Sequence, residues 1–240
     1  MKVKGGTLPP FVSENNQAHS HAPLKNPMTM GTTATALQVF DWGHLGYREA
    51  HARQLEALSR RIANEIGDTV FVVEHPHVYT YGRGTDISQL LPVTPVESNS
   101  PVELISVERG GGITYHGPGQ LVAYPIIDVR KKTGDLHKFL RWVEDVIIRT
   151  IAPWGLDGGH DADHSGVWVQ GRKIASIGVA VRQWISYHGI ALNVSTDLRY
   201  FGAIHPCGLP PEVMTSMKLL TGKKISLDDV KKRLTEVLLQ

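Results

Sequence analysis

The sequence predicts an α+β fold, α/β sandwich-like, in which a mixed, mostly antiparallel sheet is flanked by helices. Three observations carry this reading. Short β-branched and apolar runs recur along the chain; residues 166–193 read as three strands joined by tight turns; and the helical stretches cluster rather than alternate with strands. Links that short force antiparallel pairing, and segregated elements point to α+β rather than to a doubly wound sheet.

Each element follows from its local pattern. In "LEALSRRIANEIG", Leu55, Leu58, Ile62 and Ile66 share one helical face, and Gly67 is the expected stop. "TVFVVE", Thr69 to Glu74, is a buried strand, and "PVTPVESNSP" is a loop. "VELISVE" and "LVAYPII" are two further strands separated by a glycine-rich stretch. A second helix starts at Asp135 as N-cap, carries Leu136, Phe139, Leu140, Val143, Ile147 and Ile151, and stops at Pro153. The three-strand stretch turns at Gly171 and near Gln183. A last helix begins at "SLDD", with Ser226 and Asp229 at capping-box spacing, and buries Val230, Leu234, Val237 and Leu238.

Residues 1–36 differ in composition. They are rich in Pro, Thr, Asn and His, contain no arginine and lack the apolar centre of a secretory signal, so they read as a disordered leader before a single domain over 37–240. Hydrophobic content of 41% supports one real core, and a formal net charge of +2 argues against nucleic acid or membrane as a partner. One cysteine excludes an intrachain disulfide and a sulfur-rich metal site, consistent with a reducing, cytoplasmic setting.

That cysteine, Cys207, lies in "AIHPCGLP" between a proline and a glycine, where backbone geometry is unusually specified. Counted alone, a free cysteine is more often a small buried hydrophobe than a nucleophile. The densest signal is "ERGGGITYHGPGQLVAYPIIDVR". Its glycines let backbone approach a ligand closely, and their N–H groups can bind an oxyanion or carbonyl; no Gly-Lys-Ser/Thr follows, so it is not a phosphate loop. "GGHDADHSG" offers His160, Asp161, Asp163 and His164 but no sulfur ligand, and no metal is expected there. Tyr81 and Arg83 are candidates for the mouth of a pocket.

Taken together, "RGGGITYHGPGQLVAYPIID", "GRKIASIGVAVR", "YHGIALNVSTDL" and "PCGL" resemble, in order and spacing, the octanoyl (lipoyl) transferases of lipoate biosynthesis, from about Leu37 to the last helix. The resemblance implies a biotin/lipoate protein ligase-like fold. It also implies an acyltransferase that moves octanoyl from octanoyl-acyl carrier protein to a lysine of lipoyl domains, in 2-oxoacid dehydrogenase subunits and the glycine cleavage H protein, with no cofactor. Carried over residue by residue, Cys207 is similar to the acyl-accepting nucleophile and Lys173 to the lysine that favours its thiolate and shuttles protons. The substrate would be bordered by Arg109, Gly110, Gly111, Gly112, Ile113, Thr114, Tyr115 and His116, by Ser176, Ile177 and Gly178, and by Gly189, Ile190 and Ala191. The segment 157–165 and the leader have no counterpart.

The chemistry suits these residue types. A thioester is attacked by a thiolate, only a minor species for a free thiol of pKa about 8.5, and a nearby ammonium favours it. A lysine in an apolar site can then take the proton of an incoming amine. Ser176, Gly178 and Ala180 alternate on one strand face and Gly189 and Ala191 on the next, which leaves room for a straight acyl chain. Three rivals remain: an ATP-dependent lipoate or biotin ligase of the same fold, a cysteine hydrolase using His116 or His205 as base, and a non-enzymatic binder of acyl carrier protein or lipoyl domains.

Overall fold

A computed structural model describes residues 36–83, 85 and 102–240. The expected leader, apart from Ala36, and the expected loop 92–101 lie outside the described residues. The elements in chain order are β1 (Gln38–His44), α1 (Tyr47–Ile62), β2 (Thr69–Glu74), β3 (Val78–Tyr81), β4 (Glu103–Ser106), β5 (Ile113–His116), β6 (Gln120–Ile126), α2 (Val129–Lys132), α3 (Leu136–Ile151), β7 (Val167–Val169), β8 (Arg172–Arg182), β9 (Ile185–Asn193), α4 (Met217–Thr221) and α5 (Leu227–Leu238).

Six strands form one sheet in the order β1-β2-β6-β9-β8-β7, and a small sheet has the order β4-β3-β5. In the large sheet only β1 and β2 run parallel; the other neighbours are antiparallel. The hairpins that impose this are sharp. Gln170 and Gly171 have φ of 52° and 72°, and Gln183 and Trp184 have φ of 48° and 68°, the paired left-handed geometry of type I′ turns.

The large sheet is covered on both faces. On one, Phe139, Val143 and Ile147 of α3 and Val230, Leu234 and Val237 of α5 pack with Val72, Leu121, Ile174 and Leu192. On the other, Ala50, Ala57 and Leu58 of α1 pack with Phe71, Val122, Tyr124 and Ala191. At roughly 25 cal/mol per Å² of apolar surface removed from water, these two layers supply most of the driving force for folding. A third cluster, with Ile113, Tyr115, Tyr200 and Phe201, backs the small sheet.

Two expectations change. The first helix starts at Tyr47, ends at Ile62, and is stopped by Asn64, whose φ is 57°, rather than by Gly67. Its buried face runs through Tyr47, Ala50, Gln54, Ala57, Leu58 and Arg61, because Arg61 donates to Asp68 and Gln54 Oε1 accepts from the His188 amide, while Gln54 Nε2 has no hydrogen-bond partner among the described residues. Strands β1, β3 and β5 were also not anticipated. β3 and β5 have four residues each and mix Thr, Tyr and His with few aliphatics, so their pattern carries little strand signal.

The helix caps match expectation. The Asp135 side chain accepts from Lys138 N at 2.9 Å, and Ser226 accepts from Asp229 N at 3.4 Å. Asp135→Ala should lower stability through loss of the N-cap, read as a lower denaturant midpoint with an unchanged slope.

Candidate active site

A cleft of about 420 Å³ of atom-free space, counted out to its mouth, opens on the α1 face of the large sheet. Its floor is Ser176, Ile177 and Gly178 of β8 with Gly189, Ile190 and Ala191 of β9; Arg109, Thr114, His116 and Cys207 border it from the other side. Ser176 pairs with Ala191 and Gly178 with Gly189 across the ladder, so the small residues do share a face. Ile177 and Ile190 alternate away, and their side chains belong to the core beneath α3 and α5.

The same alternation divides the expected run from Arg109 to His116. Thr114 and His116 border the cleft, whereas Ile113 and Tyr115 point into the cluster behind the small sheet. Tyr115 stacks on Tyr200 at 4.8 Å and shares a hydrogen bond of 2.7 Å with His77. A strand has a period of two, so a contiguous motif cannot place every member at one surface. Tyr81 also packs in that rear cluster, and neither it nor Arg83 borders the cleft.

Arg109 is buried, and its guanidinium works on the protein itself. Nη1 donates to Gly110 O at 3.1 Å and Gly112 O at 2.8 Å, and Nη2 to Thr80 O at 2.7 Å and Thr80 Oγ1 at 3.0 Å. It therefore clamps the glycine-rich turn, which sequence reasoning treated only as a substrate contact. Burial holds its pKa below the ordinary arginine value, opposed by Tyr47 and Cys207.

The turn in turn packs on the cysteine. A Cβ on Gly112 would stand 3.2 Å from Cys207 Cα, and one on Gly111, whose φ is +82°, would stand 3.7 Å from Sγ. Cys207 is exposed and sits at φ 55°, ψ 36°, inside the short 3₁₀ turn Pro206–Gly208. For a non-glycine residue that left-handed geometry costs roughly 1–2 kcal/mol, an outlay the surrounding packing has to offset.

Two of the small residues serve more than room for a chain. A Cβ on Gly178 would meet Arg109 Cδ at 2.8 Å and Gly110 O at 3.2 Å. One on Gly189 would meet Ala123 O at 2.1 Å and Pro125 Cδ at 2.6 Å. Close approach of the glycine-rich turn and of β6, respectively, dictates glycine at these positions.

Lys173 opens β8 at 3% exposure. Its Nζ lies 5.7 Å over the Trp168 ring, and its carbonyl accepts from Thr215 N at 2.9 Å, which ties the segment following Cys207 alongside the strand. Gly166, at φ +129°, closes over the lysine: a Cβ there would lie 2.7 Å from Cε and 3.4 Å from Nζ. Burial lowers the Lys173 pKa; the Cys207 thiol, then Asp161 and Glu144, act in the opposite direction.

The segment 157–165 is the outer wall of this lysine. Glu144 of α3, 1% exposed, accepts from Gly166 N at 2.9 Å, from Arg141 at 2.8 Å and from His160 Nδ1 at 2.7 Å. His164 is held by Asp161 at 3.0 Å. These histidines are committed to neighbouring carboxylates.

A buried network runs behind the cleft. Arg109 bonds Thr80, and Thr80 Oγ1 meets His116 Nε2 at 3.4 Å. His116 Nδ1 meets Gln120 Oε1 at 2.8 Å, and Gln120 Nε2 donates to Asn193 Oδ1 at 3.0 Å. Asn193 Nδ2 donates to Thr215 O at 3.0 Å, and Thr215 N to the Lys173 carbonyl. Burial pushes the His116 pKa down to about 3, so both ring nitrogens of a neutral imidazole serve this chain. Thr80, Gln120, Asn193 and Thr215 were not singled out from sequence, nor were Tyr47, Val122, Tyr124 and His188, which also border the cleft. Gln120, Asn193 and His188 stand inside the motifs quoted above, which is the signal that could have found them.

The chain matches the family described as "Lipoyl protein ligase A/B catalytic domain" over residues 46–239. The bipartite lipoate protein ligase of Thermoplasma acidophilum, solved in a study that includes its E2 lipoyl domain, superposes with a TM-score of 0.65 at 16% identity, covering 85% of this chain and 82% of that one. At that identity the likeness shows the fold, which is the expected biotin/lipoate protein ligase-like one. The octanoyltransferase of Syntrophotalea carbinolica is 40% identical over 197 residues, 82% of this chain and 90% of that protein. That of Syntrophobacter fumaroxidans is 42% identical over 189 residues, 78% and 82% respectively. Within the lipoyl ligase A/B class, this chain belongs to the octanoyltransferase family and is an acyltransferase.

The buried lysine has a measurable consequence for stability. Its folded pKa lies below the unfolded value, so between the two the unfolded chain binds a proton that the folded chain does not, and stability rises with pH across that window. Below the folded value the cost of burying the ammonium is fully present. Lys173→Met should therefore raise the denaturant midpoint at neutral pH, and the gain should shrink as pH approaches the ordinary lysine range of about 10.4. A midpoint that falls at neutral pH would contradict this account.

Proposed function

We propose that this chain transfers octanoyl from octanoyl-acyl carrier protein to a lysine of lipoyl domains through a thioester on Cys207. The observation that carries the reading is the placement of one exposed, left-handed cysteine at a cleft with a small-residue floor, with buried Lys173 on the strand to which the segment after Cys207 is bonded. The acceptors would be lipoyl domains of 2-oxoacid dehydrogenase subunits and the glycine cleavage H protein. The setting is the cytoplasm; among the described residues no helix is long and apolar enough to cross a membrane. One catalytic domain spans 37–240.

In the first half-reaction the Cys207 thiolate attacks the octanoyl carbonyl, forming a C–S bond and a tetrahedral oxyanion. Collapse breaks the carrier's C–S bond, and the carrier thiolate leaves and takes a proton. Gly208 N–H is already committed to His205 O at 3.1 Å and Gly110 N–H to Val179 O at 3.4 Å, so the oxyanion donors come from Cys207 N–H or from the rest of the glycine-rich turn. In the second, the lipoyl-domain lysine attacks the Cys207 thioester, Cys207 leaves as thiolate, and neutral Lys173 accepts the amine proton. Its burial supports that role, because a lowered pKa leaves more of the amine free to act as base. Thioester to amide is downhill, so the sequence needs no nucleotide. His116, with both nitrogens engaged in the network, is a poor base for the hydrolase alternative.

Intact mass tests the intermediate. Mixed with octanoyl-acyl carrier protein and no acceptor, the protein should gain one octanoyl group, removable by hydroxylamine, and Cys207→Ser should gain none that hydroxylamine releases. Full transfer by Cys207→Ala would end the proposal.

The floor can be tested separately from the thiol. Gly178 is unsuitable, because a side chain there strikes Arg109 and the turn that supports Cys207. Ser176→Val adds bulk on the same face, and valine suits a strand. It should slow octanoyl loading at least about tenfold more than acetyl loading while iodoacetamide alkylates Cys207 at the normal rate. Equal slowing of both donors would remove the assignment of the floor to the acyl chain.

A further inference from the structure

At the edge of the cleft, where His188 borders it, three side chains converge to which the proposed acyl transfer gives no role. His51 projects from α1, Glu108 immediately precedes Arg109, and His188 lies on β9. His51 Nε2 is 3.1 Å from Glu108 Oε2, and His188 Nε2 is 3.6 Å from the same oxygen. One ligand atom from each residue falls within 4.8 Å of the others, and the two imidazoles stack at 5.4 Å with 16° between their planes.

His188 is the telling member. It is 1% exposed, and neither Nδ1 nor Nε2 has a hydrogen-bond partner. Buried polar atoms are nearly always satisfied, and leaving one bare costs about 1–3 kcal/mol. Its backbone sits at φ 57° within a strand, where its N–H donates to Gln54 Oε1 at 3.0 Å. The fold thus keeps a left-handed residue with a bare ring in a place where a plain ladder residue would cost less. Ion pairing to Glu108 holds His51 at 3.1 Å and His188 at 3.6 Å, and leaves neither His188 nitrogen within hydrogen-bond reach of a partner among the described residues.

The geometry points to a site for one zinc-like divalent cation held by His51 Nε2, Glu108 Oε2 and His188 Nε2. Two imidazoles and a carboxylate suit zinc and its first-row neighbours, whereas calcium and magnesium take oxygen donors. Tetrahedral bonds of about 2.0–2.1 Å set ligand atoms about 3.3 Å apart, and the two separations to Glu108 lie on either side of that value. Three protein ligands leave a fourth position for water or another donor. Bound there, the cation ties α1, the lead into the glycine-rich turn and β9 together, bracing Arg109 from behind. The site is distinct from the His160–His164 segment, where the histidines are taken by carboxylates, and it stands whether or not Cys207 carries an acyl group.

The test uses the full chain stripped with a chelator and titrated with Co²⁺. One equivalent should bind with the d–d absorption of a tetrahedral ion and without a thiolate charge-transfer band, and should raise the thermal midpoint. His51→Ala, at the partly exposed end of the site, and Glu108→Gln should each weaken binding at least about tenfold and abolish the thermal shift, with far-ultraviolet circular dichroism unchanged. Two variants guard against a folding defect in either one. No binding to the wild type, unchanged affinity in both variants, or a thiolate band that disappears in Cys207→Ser would each overturn the assignment.

Discussion

The buried Arg109 guanidinium is the constraint on which the rest of the site depends. A cation taken out of water must be satisfied, and here carbonyls of Thr80, Gly110 and Gly112 and the Thr80 hydroxyl do so instead of a carboxylate. Hydrogen bonds to a charged donor contribute about 1.5–3 kcal/mol each, and they fix the turn's carbonyls inward. Because that turn lies against Cys207, the position of the thiol is set through the arginine. An uncompensated cation also favours negative charge nearby, which is what a thiolate or an oxyanion brings.

Lys173 is held by a different mechanism and arrives at the same place. Its amine is caged by Gly166, Trp168 and the loop that Glu144 anchors, while its backbone is linked through Thr215, Asn193, Gln120 and His116 back to Thr80 and Arg109. The Arg109 guanidinium and the Lys173 backbone carbonyl are thus joined by one continuous run of hydrogen bonds behind the cleft. A neutral His116 is necessary for it, since a cationic ring could not accept from Thr80. Buried networks of this kind stabilise when every member is paired, and a substitution at Gln120 or Asn193 would reach both ends.

Two of the left-handed non-glycine residues border the cleft, while the others, Asn64, Gln170, Gln183 and Trp184, sit at a helix end and in hairpin turns. Cys207 and His188 are both left-handed and neither is glycine, while Gly178 and Gly189 sit where another backbone or side chain comes too close for a Cβ. A core assembled only for stability would avoid such positions. Unlike the turn residues, Cys207 and His188 have no hairpin to make, so at these two positions the fold accepts cost in return for placement.

By itself, the sequence determined the α+β class, the capped helix from Asp135 and the three-strand run with its turns, while Cys207 and Lys173 were singled out only by the resemblance to a family. The first three are local: periodicity, capping residues and turn positions are written within a few residues of one another. The helix over Tyr47–Ile62 was misjudged at both ends because buried Gln54 and Arg61 look like surface residues until Asp68 and the His188 amide supply their partners. Only the tertiary structure decided which of Arg109 to His116 face the cleft, that Arg109 clamps the turn, that Gly178 and Gly189 answer to neighbouring backbone, and that His51, Glu108 and His188 meet. Each of these depends on contacts between residues far apart in the chain, set by strand register and by what packs opposite, and no local pattern encodes a partner on another element.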